Sequence, residues 1–250
     1  MNPKISIITV SFNASKTIEA TIKSVLSQSY KNIEYIIVDG KSTDDTLEII
    51  KKYKKRITKV ISKKDKGLYD AMNKGVKNCT GDYVFFLNAD DVFKDMDVVR
   101  KIAKEFDENV DFVFGDVEFF YPDEKKCVRI SREASISELK KGNMPPHQGT
   151  FVKKDLLEKY PFDLNYFSSA DFDFFSKIII NGAKSKKLDF VVAINTIGGV
   201  SSGSISYKET EEIVKKNFGM FNYLSLLMKH RLLSNIKIVF NKFGIKIHKG

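Results

Sequence analysis

The sequence predicts an α/β protein with a central sheet flanked by helices, followed by a basic C-terminal extension. Three observations lead there. Short apolar runs alternate with stretches of helical periodicity through the first half of the chain. A less regular second half carries further strand-like and helix-like segments. From Ile213 to Gly250 there is no Asp or Glu but eight Lys or Arg, so eight of the ten net positive charges lie in this last stretch.

The elements follow in order. Ile5–Val10 is apolar and β-branched and reads as a strand. Ile18, Ile22, Val25 and Leu26 share one face of a helix running from Ser15, a candidate N-cap, to Ser27. Ile33–Val38 is a second strand, and Ser42-Thr43-Asp44-Asp45 resembles a capping box opening a helix to Tyr53. Val60–Ser62, Tyr69–Asn78 and Tyr83–Leu87 read as strand, helix and strand, and a helix is expected from Asp95 to Phe106. Alternation of this kind implies parallel pairing through right-handed crossovers. Further on, Phe112–Val117 is a strand, Met144–Gly149 a loop and Phe167–Asp173 the start of a helix to Asn181. Phe190–Ile194 is a late strand, followed by a glycine- and serine-rich loop, Gly198–Gly203. The expected division is a domain over 1–206, with a nucleotide half (1–116) and an acceptor half (117–206), and an extension over 207–250.

Ligands of such sheets bind outside the carboxyl ends of the strands. There the sequence places Ser11-Phe12-Asn13, Asp39-Gly40, Lys63–Gly67 and Asn88-Ala89-Asp90-Asp91. Three acidic positions beside small and basic residues suit a nucleotide and a metal. An apolar strand ending in two adjacent carboxylates needs compensation, because such groups repel each other and are costly to desolvate together. A divalent cation holding phosphate supplies it. The competing reading of Asp91 is a cap on the helix that follows. Neither G-x-G-x-x-G nor G-x-x-x-x-G-K-[ST] is present, which argues against a dinucleotide oxidoreductase and a P-loop NTPase.

In series these segments resemble the family-2 glycosyltransferases of GT-A fold. The resemblance is carried by Ser6–Asn13, Ile37–Asp44, Asp70–Gly75, Gly81–Tyr83 with Leu87–Asp91, His147-Gln148 and Ala170–Asp173, and it covers residues 4 to 205. The chain is most similar to surface-polysaccharide enzymes of the colanic-acid type. The resemblance implies inverting transfer from a nucleotide-diphosphate sugar, often a UDP-sugar, to a hydroxyl of a glycan or lipid-linked acceptor, with Mn2+ or Mg2+. It assigns Val10, Ser11, Phe12, Asn13 and Asp39 to the nucleobase, Asp39 accepting from the uracil N–H. It puts Asp70 and Asn73 near the ribose. Met72 stands where the family often has Arg, and Lys66 could supply the missing charge. Asn88 replaces the first acid of the family's metal motif and could bond a ribose hydroxyl, leaving Asp90 and Asp91 for the metal, with Asp90 also against the nucleotide. Asp171 matches the catalytic carboxylate, with Asp173 as the alternative base. His147 and Gln148 would face the acceptor or the diphosphate. Each of these residues has a plainer reading: a turn residue at Asp39, first-turn helix acids at Asp70, Asp171 and Asp173, a structural histidine at His147.

Two other functions stay open at this level. A sugar nucleotidyltransferase would want a Gly-rich basic loop after the first strand, which Ser11–Lys16 does not offer. A catalytically silent scaffold would not need Asp39, Asp90, Asp91 and Asp171. The start of the chain runs directly into a strand, no apolar run is long enough to span a bilayer, and Cys79 and Cys127 lack metal-ligand spacing. No leader and a cytoplasmic location with free thiols are therefore expected. The extension repeats Phe221, Leu224, Met228 and Leu232 at helical spacing, with Leu226 and Leu233 off that face. It is expected to lie on the anionic inner face of the plasma membrane, or to pack on the domain or on a second subunit of a homo-oligomer. No nucleic-acid-binding module accompanies it.

Overall fold

The computed structural model describes residues 2–121, 124–196 and 204–242, with Ser204 and 233–242 as backbone only. The glycine- and serine-rich loop expected over 198–203 lies outside the described residues. The strands are β1 (Ile5–Ser11), β2 (Ile33–Asp39), β3 (Lys59–Ser62), β4 (Tyr83–Phe86), β5 (Asp91–Phe93), β6 (Phe112–Tyr121), β7 (Lys126–Ile130), β8 (Thr150–Lys153) and β9 (Ser185–Thr196). The helices are α1 (Ile18–Leu26), α2 (Thr46–Lys52), α3 (Leu68–Asn78), α4 (Val98–Ala103), α5 (Ile136–Lys140), α6 (Lys154–Lys159), α7 (Ala170–Ile180) and α8 (Ser204–Lys242).

All the strands join one mixed sheet in the order β3-β2-β1-β4-β8-β6-β9-β5, with β7 on β6. The first four positions are parallel, as the alternation predicts. β8 then runs antiparallel to both β4 and β6, while β6 and β9 are parallel. β1 is buried at every position, which its β-branched sequence ISIITVS suits. Alternate strand residues feed two cores. Ile8, Val10, Ile36, Val38, Val84 and Phe86 face α3, α6, α7 and α8. Ile5, Ile7, Tyr35, Ile37, Phe85 and Leu87 face α1, α2 and α4. Helix α3 lies close on β1: a Cβ on Gly75 would come within 2.5 Å of Ile8 Cγ2.

Three local expectations are corrected. Asp91 does not precede a helix cap; it opens β5, opposite Asn195 of β9. Ser42 does not cap α2, because its hydroxyl donates to Asp39, and Asp44 instead accepts from Thr46 N at 3.0 Å. Helix α1 begins after Thr17, without a side-chain cap from Ser15.

The expected extension over 207–250 begins inside α8, and the part of it described up to Leu232 packs on the domain. Ile213 and Val214 are fully buried and Leu226 is 2% exposed, all within the core that holds α7. Helix α8 breaks at Gly219, whose φ of 83° is a left-handed conformation open to glycine. In a straight helix Glu211 and His230 would stand about 28 Å apart. Their Oε1 and Nδ1 atoms lie 2.6 Å apart, and the Tyr207 and His230 rings are 4.4 Å apart. The two halves of α8 therefore form an antiparallel hairpin. Its inner apolar contact is Leu226, the residue expected on the polar side, while Phe221, Leu224, Met228 and Leu232 point outward at 83%, 46%, 67% and 62% exposure.

Candidate active site

The carboxyl ends of β1, β2 and β3 meet at Asp39. It is fully buried and accepts from Ser11 Oγ at 3.2 Å, Ser42 N at 3.0 Å, Ser62 Oγ at 2.9 Å and the Ser42 hydroxyl. Register places Ser11 directly beside Asp39 in the β1–β2 ladder. Buried carboxylates persist only when hydrogen-bonded, and hydroxyl donors from three segments meet that need here. Val10 is buried in the core, whereas Phe12 is 64% exposed at the rim. Asn13 is left-handed (φ 50°), and its Oδ1 accepts from Thr43 N at 2.9 Å while its own N–H donates to Ser42 Oγ. This locks the β1 loop to the β2 loop. A Cβ on Gly40 would meet Asp65 Oδ2 at 2.6 Å and Phe12 at 3.3 Å. Gly40 thus lets the loop carrying Asp65 and the exposed Lys66 close over the rim.

On α3 the picture differs from the expected ribose contacts. Asp70 accepts from Lys66 N and pairs with Lys74, both at 2.9 Å. Burial alone would raise its pKa, but the Lys74 and Lys66 bonds outweigh it and hold the carboxyl below its usual range. Asn73 donates to Phe162 O at 2.8 Å and accepts from Phe162 N at 3.0 Å. Both groups of its amide are spent on the 162 loop, so the structure gives Asn73 a bridging place rather than a free face toward the rim.

At the end of β4 the two acids separate. Asp91 is 2% exposed, and its Oδ2 accepts from Asn195 Nδ2 at 3.4 Å. Burial, with the charge of Asp90 added, pushes its pKa up to about 8. Its carboxyl is held inside the sheet, less accessible than that of Asp90. Asp90 is only half-buried, and burial raises its pKa less. Asn88 Oδ1 is buried without a hydrogen-bond partner. Among the described residues no three His, Cys, Asp or Glu side chains group as metal ligands. One reachable carboxylate and one orphaned amide oxygen fit a divalent ion only when substrate phosphate completes its shell, as magnesium-type sites commonly arrange.

On the acceptor side, Asp171 sits half-buried in the first turn of α7. Its Oδ1 accepts from Tyr69 OH at 3.0 Å and from Phe172 N at 2.9 Å. Burial and the nearby Asp171 charge raise the Tyr69 phenol well above its usual pKa, so it stays a donor. Asp173 is 1% exposed and ion-paired with Lys177 one turn on. That excludes it as the alternative base. His147 is 7% exposed, with ring centroids of Phe86, Phe162 and Phe175 at 5.5, 6.0 and 6.5 Å. Burial lowers its pKa, opposed by the Asp171 charge, so the ring is a neutral part of an aromatic cage. Its Nε2 is buried without a hydrogen-bond partner, and Gln148 beside it is half-buried.

Sequence reasoning missed Tyr69, Ser42, Ser62, Asp65 and Glu209. Glu209 of α8 accepts from Phe167 N at 2.7 Å and Ser168 N at 2.9 Å, fixing the approach to α7. Tyr69 carried a usable signal, since a buried phenol needs a hydrogen-bond partner. The others depend on loop packing, which has no local signature.

The arrangement, a largely polar rim around a buried Asp39 with Phe12 exposed, and a separate half-buried carboxylate on α7, can be compared with known proteins. The WfaP protein of Escherichia coli, a UDP-Glc:alpha-D-GlcNAc-diphosphoundecaprenol beta-1,3-glucosyltransferase, is 30% identical over 233 residues, 92% of this chain and 90% of that one. A PGL/p-HBAD biosynthesis glycosyltransferase of Mycobacterium bovis is 30% identical over 213 residues, 80% of each chain. The structure of TarS 1-349 from S. aureus has a TM-score of 0.68 at 21% identity, and covers 86% of this chain and 65% of that one. The mannosyltransferase PcManGT of Pyrobaculum calidifontis, in complex with GDP-Man and Mn2+, gives 0.65 at 18%, covering 84% and 61%. These two likenesses concern the fold, which is GT-A. The family model for glycosyl transferase family 2 matches residues 6–178, a span that runs from β1 through the Asp171 turn, and the chain belongs to that family.

Proposed function

We propose that this glycosyltransferase moves a sugar from a UDP-sugar to a hydroxyl of a lipid-linked glycan, with inversion at the anomeric carbon, at the cytoplasmic face of the membrane. The observation that carries the reading is the Tyr69–Asp171 hydrogen bond. It joins a carboxylate of the acceptor half to α3, the helix that packs on β1 and β2, whose ends carry the rim. The UDP and lipid-linked elements are supported by WfaP, whose name gives UDP-Glc and a diphosphoundecaprenol acceptor, and by TarS, solved with UDP and with UDP-GlcNAc.

In this reading residues 1–116 hold the nucleotide, 117–206 face the acceptor, and the α8 hairpin buttresses the second half. Phe12 offers its exposed ring to the base. Asp39, fully buried here, would accept from the uracil N–H once a serine hydroxyl turns away and the residues covering it move aside. Asp90, with Asn88, would hold Mn2+ or Mg2+ together with the diphosphate, and the bound ion would neutralise charge on the leaving group. Asp171 takes the proton of the acceptor hydroxyl as that oxygen bonds to the anomeric carbon. The bond from that carbon to the diphosphate breaks on the opposite face, and its electron pair leaves with UDP. Tyr69 holds Asp171 in place throughout.

A thermal-shift panel of UDP-, GDP- and dTDP-sugars, with and without manganese, tests the donor assignment. UDP-sugars should raise the melting temperature most, and more with manganese than with chelator, because one protein carboxylate needs phosphate to complete the site. Equal shifts with metal and chelator would remove Asp90 from a metal role. A larger shift with GDP- or dTDP-sugars would overturn the UDP reading.

A further inference from the structure

Among the described residues, the outward face of the second α8 helix has no partner. Met220, Phe221, Leu224, Met228 and Leu232 are 53%, 83%, 46%, 67% and 62% exposed. At 100° per residue, Phe221, Leu224, Met228 and Leu232 form one stripe, and the exposed Lys229 and Arg231 fall on its two flanks. Lys215 and Lys216 are exposed at the hairpin tip beside Gly219. No acidic residue occurs from Ile213 onward. Contiguous apolar surface rimmed by one sign of charge marks an interaction site.

We propose that this face docks the enzyme on an anionic phospholipid bilayer surface, the apolar stripe entering the headgroup boundary and the flanking cations meeting lipid phosphates. The choice of occupant follows from charge. In a symmetric dimer the same patch meets itself, so Lys216, Lys229 and Arg231 of both copies would face one another without counter-charge. An anionic bilayer satisfies both the apolar and the cationic parts. No described helix is long and apolar enough to cross a membrane, so attachment by this face is peripheral. The stripe is also coupled to the site. The first α8 helix holds the start of α7 through Glu209, and Ser169 Oγ donates to Ser206 O at 3.2 Å. Docking therefore sets the orientation of the acceptor half over the bilayer. The inference rests on the lipid-linked acceptor of the proposed function for its purpose, but its test reads no sugar transfer.

The test uses the full chain and a Phe221→Ser/Met228→Ser variant, both positions exposed and outside the site. Each is sedimented with vesicles of phosphatidylcholine alone or with phosphatidylglycerol, at low and high salt. The native chain should bind the phosphatidylglycerol vesicles at low salt and be released by high salt. The variant should bind at least about tenfold more weakly, having lost two apolar anchors. Absence of binding to anionic vesicles, or equal binding by the variant, would overturn the proposal. So would a native dimer that the variant dissociates without any change in vesicle binding. A chain that docks but does not use a lipid-linked acceptor would defeat the acceptor reading and leave the docking inference standing.

Discussion

Among single residues, Phe12 tests the nucleotide reading most cleanly. Phe12 is 64% exposed at the end of a fully buried strand, and in the proposed function its ring stacks on the nucleobase. Stacking of a base on an aromatic ring is worth about 1–3 kcal/mol. Phe12→Ala should weaken UDP binding by about tenfold or more in calorimetry, while the melting temperature of the free protein stays near native. Unchanged affinity would move the base elsewhere. Asp39 shows how far one residue can be read from sequence. Its type and its place before Gly40 put it on the rim. The three serines that surround it come from β1, the β2 loop and β3, and only the folded register brings them together. The acids Asp90 and Asp91 are adjacent in sequence and look equivalent there. In the fold Asp91 opens the short β5 strand and is buried, while Asp90 stays in the turn before it, half-buried.

Element by element, the regular first half was the most legible. Strands buried on both faces read as continuous apolar runs, and the helices between them keep a one-sided apolar pattern. The strands β5, β7 and β8 and the helices α5 and α6 escaped because each is short and its burial depends on distant partners. Helix α8 misled for a different reason. Its most regular apolar stripe faces outward, and its anchor, Leu226, lies off that stripe. Periodicity identified the helix but not which face the core would take. The packing makes a direct prediction. Leu226→Ala should cost about 2–5 kcal/mol of stability, as buried Leu truncations do. Phe221→Ala, 83% exposed, should stay within about 0.5 kcal/mol. Urea unfolding with matched m-values decides between them. The reverse order would mean that the hairpin packs by its other face.

Across the whole molecule, the sheet divides the labour. Parallel strands β3, β2, β1 and β4 present the nucleotide rim, and the antiparallel turn into β8 changes the topology next to it. Helix α7 crosses back so that Asp171 meets Tyr69, 102 residues earlier in the chain. Sequence placed Asp171 by family resemblance; its partner and the burial of Asp173 are properties of the assembled fold. In the proposed function Asp171 is the base of an inverting transfer. Asn at this position keeps the shape and can still accept from Tyr69, so Asp171→Asn isolates proton acceptance. The deciding measurement is the rate of sugar transfer from a UDP-sugar by the native chain and by Asp171→Asn, with UDP affinity determined on both. With Asp171 as the base, the rate should fall about 10²–10⁴-fold, UDP affinity should be unchanged, and the native product should have the opposite anomeric configuration to the donor. Transfer by Asp171→Asn at the native rate would contradict that role.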